Sequence, residues 1–214
     1  MPTIKLIGKA ASRVMRPIWM LEELRTNGSA LQGITYEHDP ISYEDPNLLK
    51  PPYVELNPNG RVPILIVDDF VVYESLAINL YLAEKFNSPL SLNNVEERAL
   101  ANQWAMWSLT EIEESIYDWA LHTHLKPEAD RDPKIAAACL KTLERPFAAL
   151  EASLAGKHYL VGHRFSVVDL NTACVMYRCL TMDLAQWPNI NTWLARCWAR
   201  ESAKAPRRAR GEKV

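Results

Sequence analysis

The stretch "NPNGRVPILIVDDFVVYES", from Asn57 to Ser75, sets a carboxylate, Glu74, beside a hydroxyl, Ser75, just before an apolar helical pattern. Serine there is a good N-cap, and an exposed acid ahead of a capped helix is one complete reading of the pair. The other reading is chemical. A helix N-terminus offers free backbone N–H groups and a positive dipole end, which suit a carboxylate. Glu74 beside it can hold an ammonium, so the pair suits a group carrying both charges, the α-amino acid end of a small molecule. Earlier in the stretch, Val62-Pro63 opens a strand. Proline is tolerated at a strand's first residue. The alternative is a cis Val62–Pro63 bond, a tight exposed corner that turns the Val62 N–H and C=O outward. An extended peptide can pair with such groups as an added strand does. Taken together, the chemical readings describe a ligand that is an extended peptide with a free amino acid head.

These residues need a sheet that ends where a helix begins. "TIKLIG" alternates and predicts a first strand. "VMRPIWMLEELRTNG" predicts a helix, with Ile18, Leu21 and Leu24 at helical spacing and Asn27-Gly28 as a stop. "GITYEHD" predicts a second strand, and a long proline-marked loop, "PISYEDPNLLKPPYVELNPNG", follows. Loops of that length are often functional. "PILIVDDFVVYE" divides at Asp68-Asp69 into a hairpin, and "LAINLYLAEKF" closes the unit. Beyond Pro89 the strand signals nearly vanish. One long helix is expected from Val95 to His124, with Trp104, Ser108, Ile112, Ile116 and Trp119 on one face. Another is expected from Lys134 to Ala155, with a stripe of Ala136, Leu140, Leu143, Phe147, Leu150 and Leu154 and a kink at Pro146. Helices over Val167–Leu184 and Pro188–Arg200 complete the pattern. In "FSVVDL", Ser166 and Asp169 have capping-box spacing, and Phe165 can staple against Leu170. The expected organisation is an α/β domain over 1–86, a linker over 87–92 and an all-helical domain over 93–214.

Composition is that of a globular protein with a real core, 48% hydrophobic and 23% charged. A formal charge of −2 gives no global field for nucleic acid. The basic ending "KAPRRARGEKV" is expected to be solvated and partly disordered. No segment approaches the ~18 apolar residues of a membrane span, and the N-terminus lacks the pattern of a secretory signal. A cytoplasmic location is therefore expected. Cys139, Cys174, Cys179 and Cys197 show no zinc spacing, and three of them are expected as buried free thiols.

"NPNGRVPIL" followed by "YESLAINLYL" resembles the glutathione site of the glutathione S-transferases. "WMLEEL" resembles that family's first helix, "FSVVDL" its helical-domain capping box, and "WPNINTWLARCWAR" its penultimate helices. The resemblance implies a thioredoxin-like N-terminal domain with cis-Pro63, an all-α C-terminal domain, a detoxifying homodimer, glutathione as co-substrate and no metal. It assigns Val62 to the cysteinyl backbone of glutathione, and Glu74 and Ser75 to its γ-glutamyl end. Family members activate the thiol from a Tyr, Ser or Cys after the first strand. The loop here, "GKAASRVMRPIWM", has no Tyr or Cys. Ser12, four residues before Arg16, matches the serine-type spacing, whereas aligning on Pro17 puts Arg13 at that position. Ser12 is the candidate activator and is equally readable as a helix cap. Arg61 and Lys50 are further candidates for glutathione contacts. Trp107, Tyr117 and Trp119 are candidates for lining a pocket for a small apolar electrophile, and also fit a core.

Two functions fit. One is an enzyme transferring the glutathione thiolate to an electrophile. The other is a non-catalytic binding module, a ligand carrier or partner-binding protein.

Overall fold

The computed structural model describes residues 2–26, 35–161 and 163–214. The expected stop at Asn27-Gly28 and the start of the expected second strand at Gly33 lie outside the described residues. β1 (Ile4–Ile7) runs parallel to β2 (Glu37–Asp39), with α1 (Met15–Thr26) between them in the chain. β3 (Ile64–Val67) and β4 (Phe70–Tyr73) form the antiparallel hairpin, turning at Asp68-Asp69. The sheet order is β2-β1-β3-β4, with β1 antiparallel to β3. Adjacent residues of a strand face opposite ways, and Leu6 and Ile7 are both buried, so both faces of the central strand are covered. The long loop carries a short 3-10 turn, Pro46–Leu49, and α2 (Tyr53–Leu56). α3 (Ser75–Lys85) follows the sheet and buries Leu76, Asn79, Leu82 and Ala83, an i, i+3, i+6, i+7 stripe.

The helical part runs through α4 (Val95–Trp107), α5 (Glu113–Ala120), α6 (Pro133–Leu154), α7 (Val167–Val175) and α8 (Pro188–Trp198). The expected helix from Val95 is continuous, but π-helical turns occupy Ser108–Ile112 and Leu121–Leu125. The stripe explains the first. Trp104, Ser108, Ile112 and Ile116 recur every four residues, and on a straight α-helix each step drifts roughly 40°. A wider turn, bonded i to i+5, resets that drift, and all four side chains are buried. α6 passes through Pro146 as one uninterrupted helix, and the expected stripe loses Leu140, which is exposed. The helix expected to reach Leu184 changes to a 3-10 turn at Met176–Thr181. Cys174, Cys179 and Cys197 are buried thiols outside any disulfide, and Cys139 is half-buried.

The chain divides into two compact units, Met1–Ser91 with Arg200–Val214, and Leu92–Ala199. The last fifteen positions, 200–214, thus group with the sheet rather than with the helical part; of the stretch expected to be solvated and partly disordered, 204–214, the end is exposed but Lys204–Ala209 is helical. Ser202 and Ala203 are buried, and α9 (Lys204–Ala209) packs on α1. The cause is Glu23 on α1, a fully buried carboxylate that accepts from Arg200 Nε at 2.6 Å and Nη2 at 2.8 Å, from Trp19 Nε1 at 3.1 Å, and from the Ser202 hydroxyl.

Within the helical unit, the expected capping box forms at α7. Asp169 is fully buried and accepts four hydrogen bonds: from Ser166 N and Oγ at 3.1 Å each, Leu160 N at 2.8 Å and Trp193 Nε1 at 3.0 Å. Burial pushes its carboxyl above the usual range, opposed by these bonds. Asp169→Ala leaves three buried N–H groups without an acceptor, each costing about 1–3 kcal/mol. The substitution should lower the unfolding free energy by about 3–5 kcal/mol, measured by urea denaturation followed by circular dichroism.

Candidate functional site

Sheet register assembles the site. Ile64 pairs with Ile7 on one side and with Tyr73 on the other. One residue beyond these partners lie Gly8, Pro63 and Glu74, at the same end of three neighbouring strands. The Val62–Pro63 bond is cis, as one sequence reading anticipated. Val62 is half-buried, and among the described residues its N–H and carbonyl have no hydrogen-bond partner. Gly8, at φ +123°, makes room for this corner: a Cβ there would stand 2.5 Å from Val14 Cγ2 and 2.6 Å from Val62 Cβ. The side chains of Val14 and Val62 close over the glycine and leave no room for a Cβ.

The start of α3 differs from the expected cap. Ser75 is the first helical residue, and Glu74 occupies the cap position at φ 72° and ψ 111° without a side-chain capping bond. A positive φ is uncommon for a non-glycine residue and costs about 1–3 kcal/mol, so the neighbouring structure must hold Glu74 there. Its side chain is exposed and forms no ion pair among the described residues. The Ser75 hydroxyl is not a cap. It accepts a 3.0 Å bond from Arg16 Nη1, and both residues are about 95% buried, with 4% and 5% of their surface exposed. α1 thereby adds a full positive charge beneath the positive end of α3. Arg16 entered the sequence reading only through its spacing from Ser12; its bond to Ser75, 59 positions away, has no local signal.

Ser12 lies in the turn between β1 and α1. Its backbone N–H and its hydroxyl both donate to the Lys9 carbonyl, at 3.1 and 2.8 Å, and its Oγ accepts from Val14 N at 3.2 Å. The cap-like bond of one sequence reading is therefore present. Arg13, the alternative position, is exposed. The turn is tied to β2 and its extension through Gly8 N to Asp39 O at 2.7 Å and Lys9 N to Ile41 O at 2.8 Å.

Arg61 and Lys50 are both exposed. Buried Asn57 shapes the approach to Val62: its Nδ2 donates to the Arg61 carbonyl at 2.8 Å and its Oδ1 accepts from Asn59 N at 3.1 Å. Gly60, at φ +60°, packs so closely on Leu49 that a Cβ would lie 2.4 Å from its Cδ2, which draws the Lys50 segment to this turn. The three aromatic candidates do not form one lining. Trp119 is core, packed with Ala120 and Ala136. Trp107 is half-buried edge-on against Trp104, and Tyr117 is exposed with Arg178 over its ring at 4.9 Å. Among the described residues, no helix is long and apolar enough to cross a membrane.

Residues 29–85 match the family model described as glutathione S-transferase, N-terminal domain, and residues 113–201 match glutathione S-transferase, C-terminal domain. Glutathione S-transferase 1 of Dianthus caryophyllus is 31% identical over 164 residues, covering 74% of this chain and 73% of that protein. The theta class glutathione S-transferase of the citrus canker pathogen Xanthomonas axonopodis pv. citri, solved with glutathione bound, superposes with a TM-score of 0.82 at 30% identity, covering 95% of this chain and 96% of that one. Elongation factor 1-gamma 1 of Oryza sativa subsp. japonica is 35% identical over 131 residues, and the chain spans 30% of that relative's length.

Gly8→Ala tests the convergence at Val62. The left-handed backbone and the two close approaches together should cost about 2–4 kcal/mol in urea unfolding, whereas Gly156→Ala, at φ +69° with nothing within 4 Å of the new Cβ, should cost less.

Proposed function

The chain belongs to the glutathione S-transferase family, and from that premise we propose that it binds glutathione at the sheet end and transfers the thiolate to a small apolar electrophile. One observation carries the reading: the register sets the Val62 backbone, unpaired among the described residues, near Glu74, itself held at positive φ over the Arg16–Ser75 pair. In this reading the cysteinyl backbone of glutathione pairs with the Val62 N–H and carbonyl. The γ-glutamyl carboxylate meets the N-terminus of α3, beneath which Arg16 supplies charge, and Glu74 takes the ammonium. Lys50 and Arg61 are the cations for the glycine carboxylate.

Ser12 is the proposed thiol activator. Its Oγ accepts the Val14 N–H, which polarises the hydroxyl, and its hydrogen turns from the Lys9 carbonyl to the sulfur. A thiol of pKa ~8.5 is only a few per cent ionised at pH 7, so a donor that favours the thiolate raises the reactive fraction. The thiol proton leaves to solvent. A sulfur lone pair forms the new bond to the electrophilic carbon as a leaving group departs or a π bond opens. Trp107 and Tyr117 remain the aromatic candidates for contacting the electrophile, since neither is fully buried. A cytoplasmic, detoxifying homodimer is proposed on family grounds.

A non-catalytic binding module is the second reading. It draws on the likeness to elongation factor 1-gamma and on the Ser12 hydroxyl bond to Lys9. Calorimetry with glutathione, followed by turnover of a generic aryl halide, separates the two: binding with turnover supports the enzyme, and binding alone supports the module.

Glu74→Ala should weaken glutathione binding by about 2–5 kcal/mol while the circular dichroism spectrum stays that of the wild type. Unchanged affinity in calorimetry rejects this placement of the γ-glutamyl end. Ser12→Ala should lower kcat near neutrality with little effect on affinity, and its pH–rate midpoint should move up by about one unit, equivalent to ~1.4 kcal/mol. The deficit should shrink as pH rises and the thiol ionises unaided. A wild-type profile in Ser12→Ala, with a shifted one in Arg13→Ala, transfers the role to Arg13.

A further inference from the structure

The segment after Arg200 runs back along α1. It is anchored at Glu23, near the C-terminal end of that helix, by Arg200 and Ser202. It then packs along the helix as α9 and reaches the turn before the helix N-terminus, where Arg210 Nη1 donates to the Ala10 carbonyl at 3.2 Å. Ala10 is buried, so its carbonyl needs a partner inside the protein. That partner comes from 200 positions away in the chain. The adjoining carbonyl, Lys9, is the one that accepts both the N–H and the hydroxyl of Ser12.

Resting on the functional reading above, we propose that Arg210 is a positioning residue for Ser12: by gripping the Ala10 carbonyl it fixes the turn that aims the Ser12 hydroxyl at the glutathione sulfur. Arg210 is well rooted for this. Its own N–H closes α9 onto the Arg207 carbonyl at 3.0 Å, which sets a cation at the negative end of the helix. Glu212 Oε1, 3.7 Å from Arg210 Nε, braces the guanidinium, while Arg207 holds the other oxygen of Glu212 at 2.7 Å. Around the turn, Lys9, Arg13 and Arg16 are the other charged side chains on the β1–α1 connection and the start of α1. From β2, His38 Nε2 meets the Gly8 carbonyl at 2.8 Å, and Glu212 offsets part of the Arg210 charge.

The test uses the full chain with Arg210→Ala, Arg210→Lys and Arg210→Gln. Amide hydrogen exchange over Ala11–Val14 should speed up about tenfold in Arg210→Ala and less in Arg210→Lys, with exchange over β3 and β4 unchanged. With glutathione and an aryl halide, kcat at pH 6.5 should fall about tenfold in Arg210→Ala at unchanged KM for glutathione. Its pH–rate midpoint should rise, Arg210→Lys should restore most of the loss, and Arg210→Gln should keep the exchange protection better than the pH profile. Wild-type exchange and a wild-type pH profile in Arg210→Ala overturn the inference. Should Arg210→Ala fail to fold, Arg210→Gln with both readouts unchanged overturns it equally. A wild type that does not bind glutathione fails the functional reading instead, and that measurement precedes any variant.

Discussion

Glu23 has no surface exposed to solvent, and four donors from three residues converge on its carboxylate. Taking a carboxylate out of water costs several kcal/mol, which only full pairing offsets. The pairing here is full: a two-pronged guanidinium, an indole N–H and a hydroxyl. Two of the three donor residues lie in 200–214, so the α/β unit is complete only with that segment in place. α1 is gripped by the start of α3 through Arg16 and by the later segment through Glu23. A helix held at both of its ends is a rigid base for the turn that precedes it.

The site itself is a product of backbone geometry more than of side chains. Gly8, Pro63 and Glu74 meet because strand pairing aligns them, and Gly8 is required because a single added carbon would collide with two valines. Arg16 works from below, buried and bonded to Ser75, so its charge acts through little solvent. Charge at a low-dielectric helix end is a durable feature of anion recognition, because it does not depend on a flexible surface side chain finding its ligand.

Local features were legible in the sequence. The hairpin at Asp68-Asp69, the capping box at Ser166 and Asp169, and the amphipathic stripes rest on contacts within a few residues, where spacing carries the information. The cis corner at Val62 was legible as one of two readings. Non-local features were not legible. Arg16 meets Ser75 across 59 positions and Glu23 meets Arg200 across 177, and no periodicity encodes such a meeting. The tail "KAPRRARGEKV" illustrates the cost: its basic composition matches a solvated end, and Arg208, Ala209, Gly211, Lys213 and Val214 are exposed, yet it forms α9 and buries Pro206. Ser75 was displaced by one residue from its expected cap role, and Trp119 took the core, the other of its two readings, because helical spacing alone does not say which neighbour a face meets.

The discontinuity of the α/β unit bears on how the protein is made. Arg200 is synthesised 177 positions after Glu23. At the usual 5–20 residues per second, a nascent chain carries the Glu23 carboxylate without its guanidinium partner for roughly 10–35 seconds. Over that interval α1 exists without α9 packed on it, while the whole of Leu92–Ala199 is produced. The helical unit is complete at Ala199, one residue before Arg200, so the two units can close at the same stage. Until then the half-finished α/β unit carries a carboxylate whose native place is fully buried and whose guanidinium partner has not yet been made.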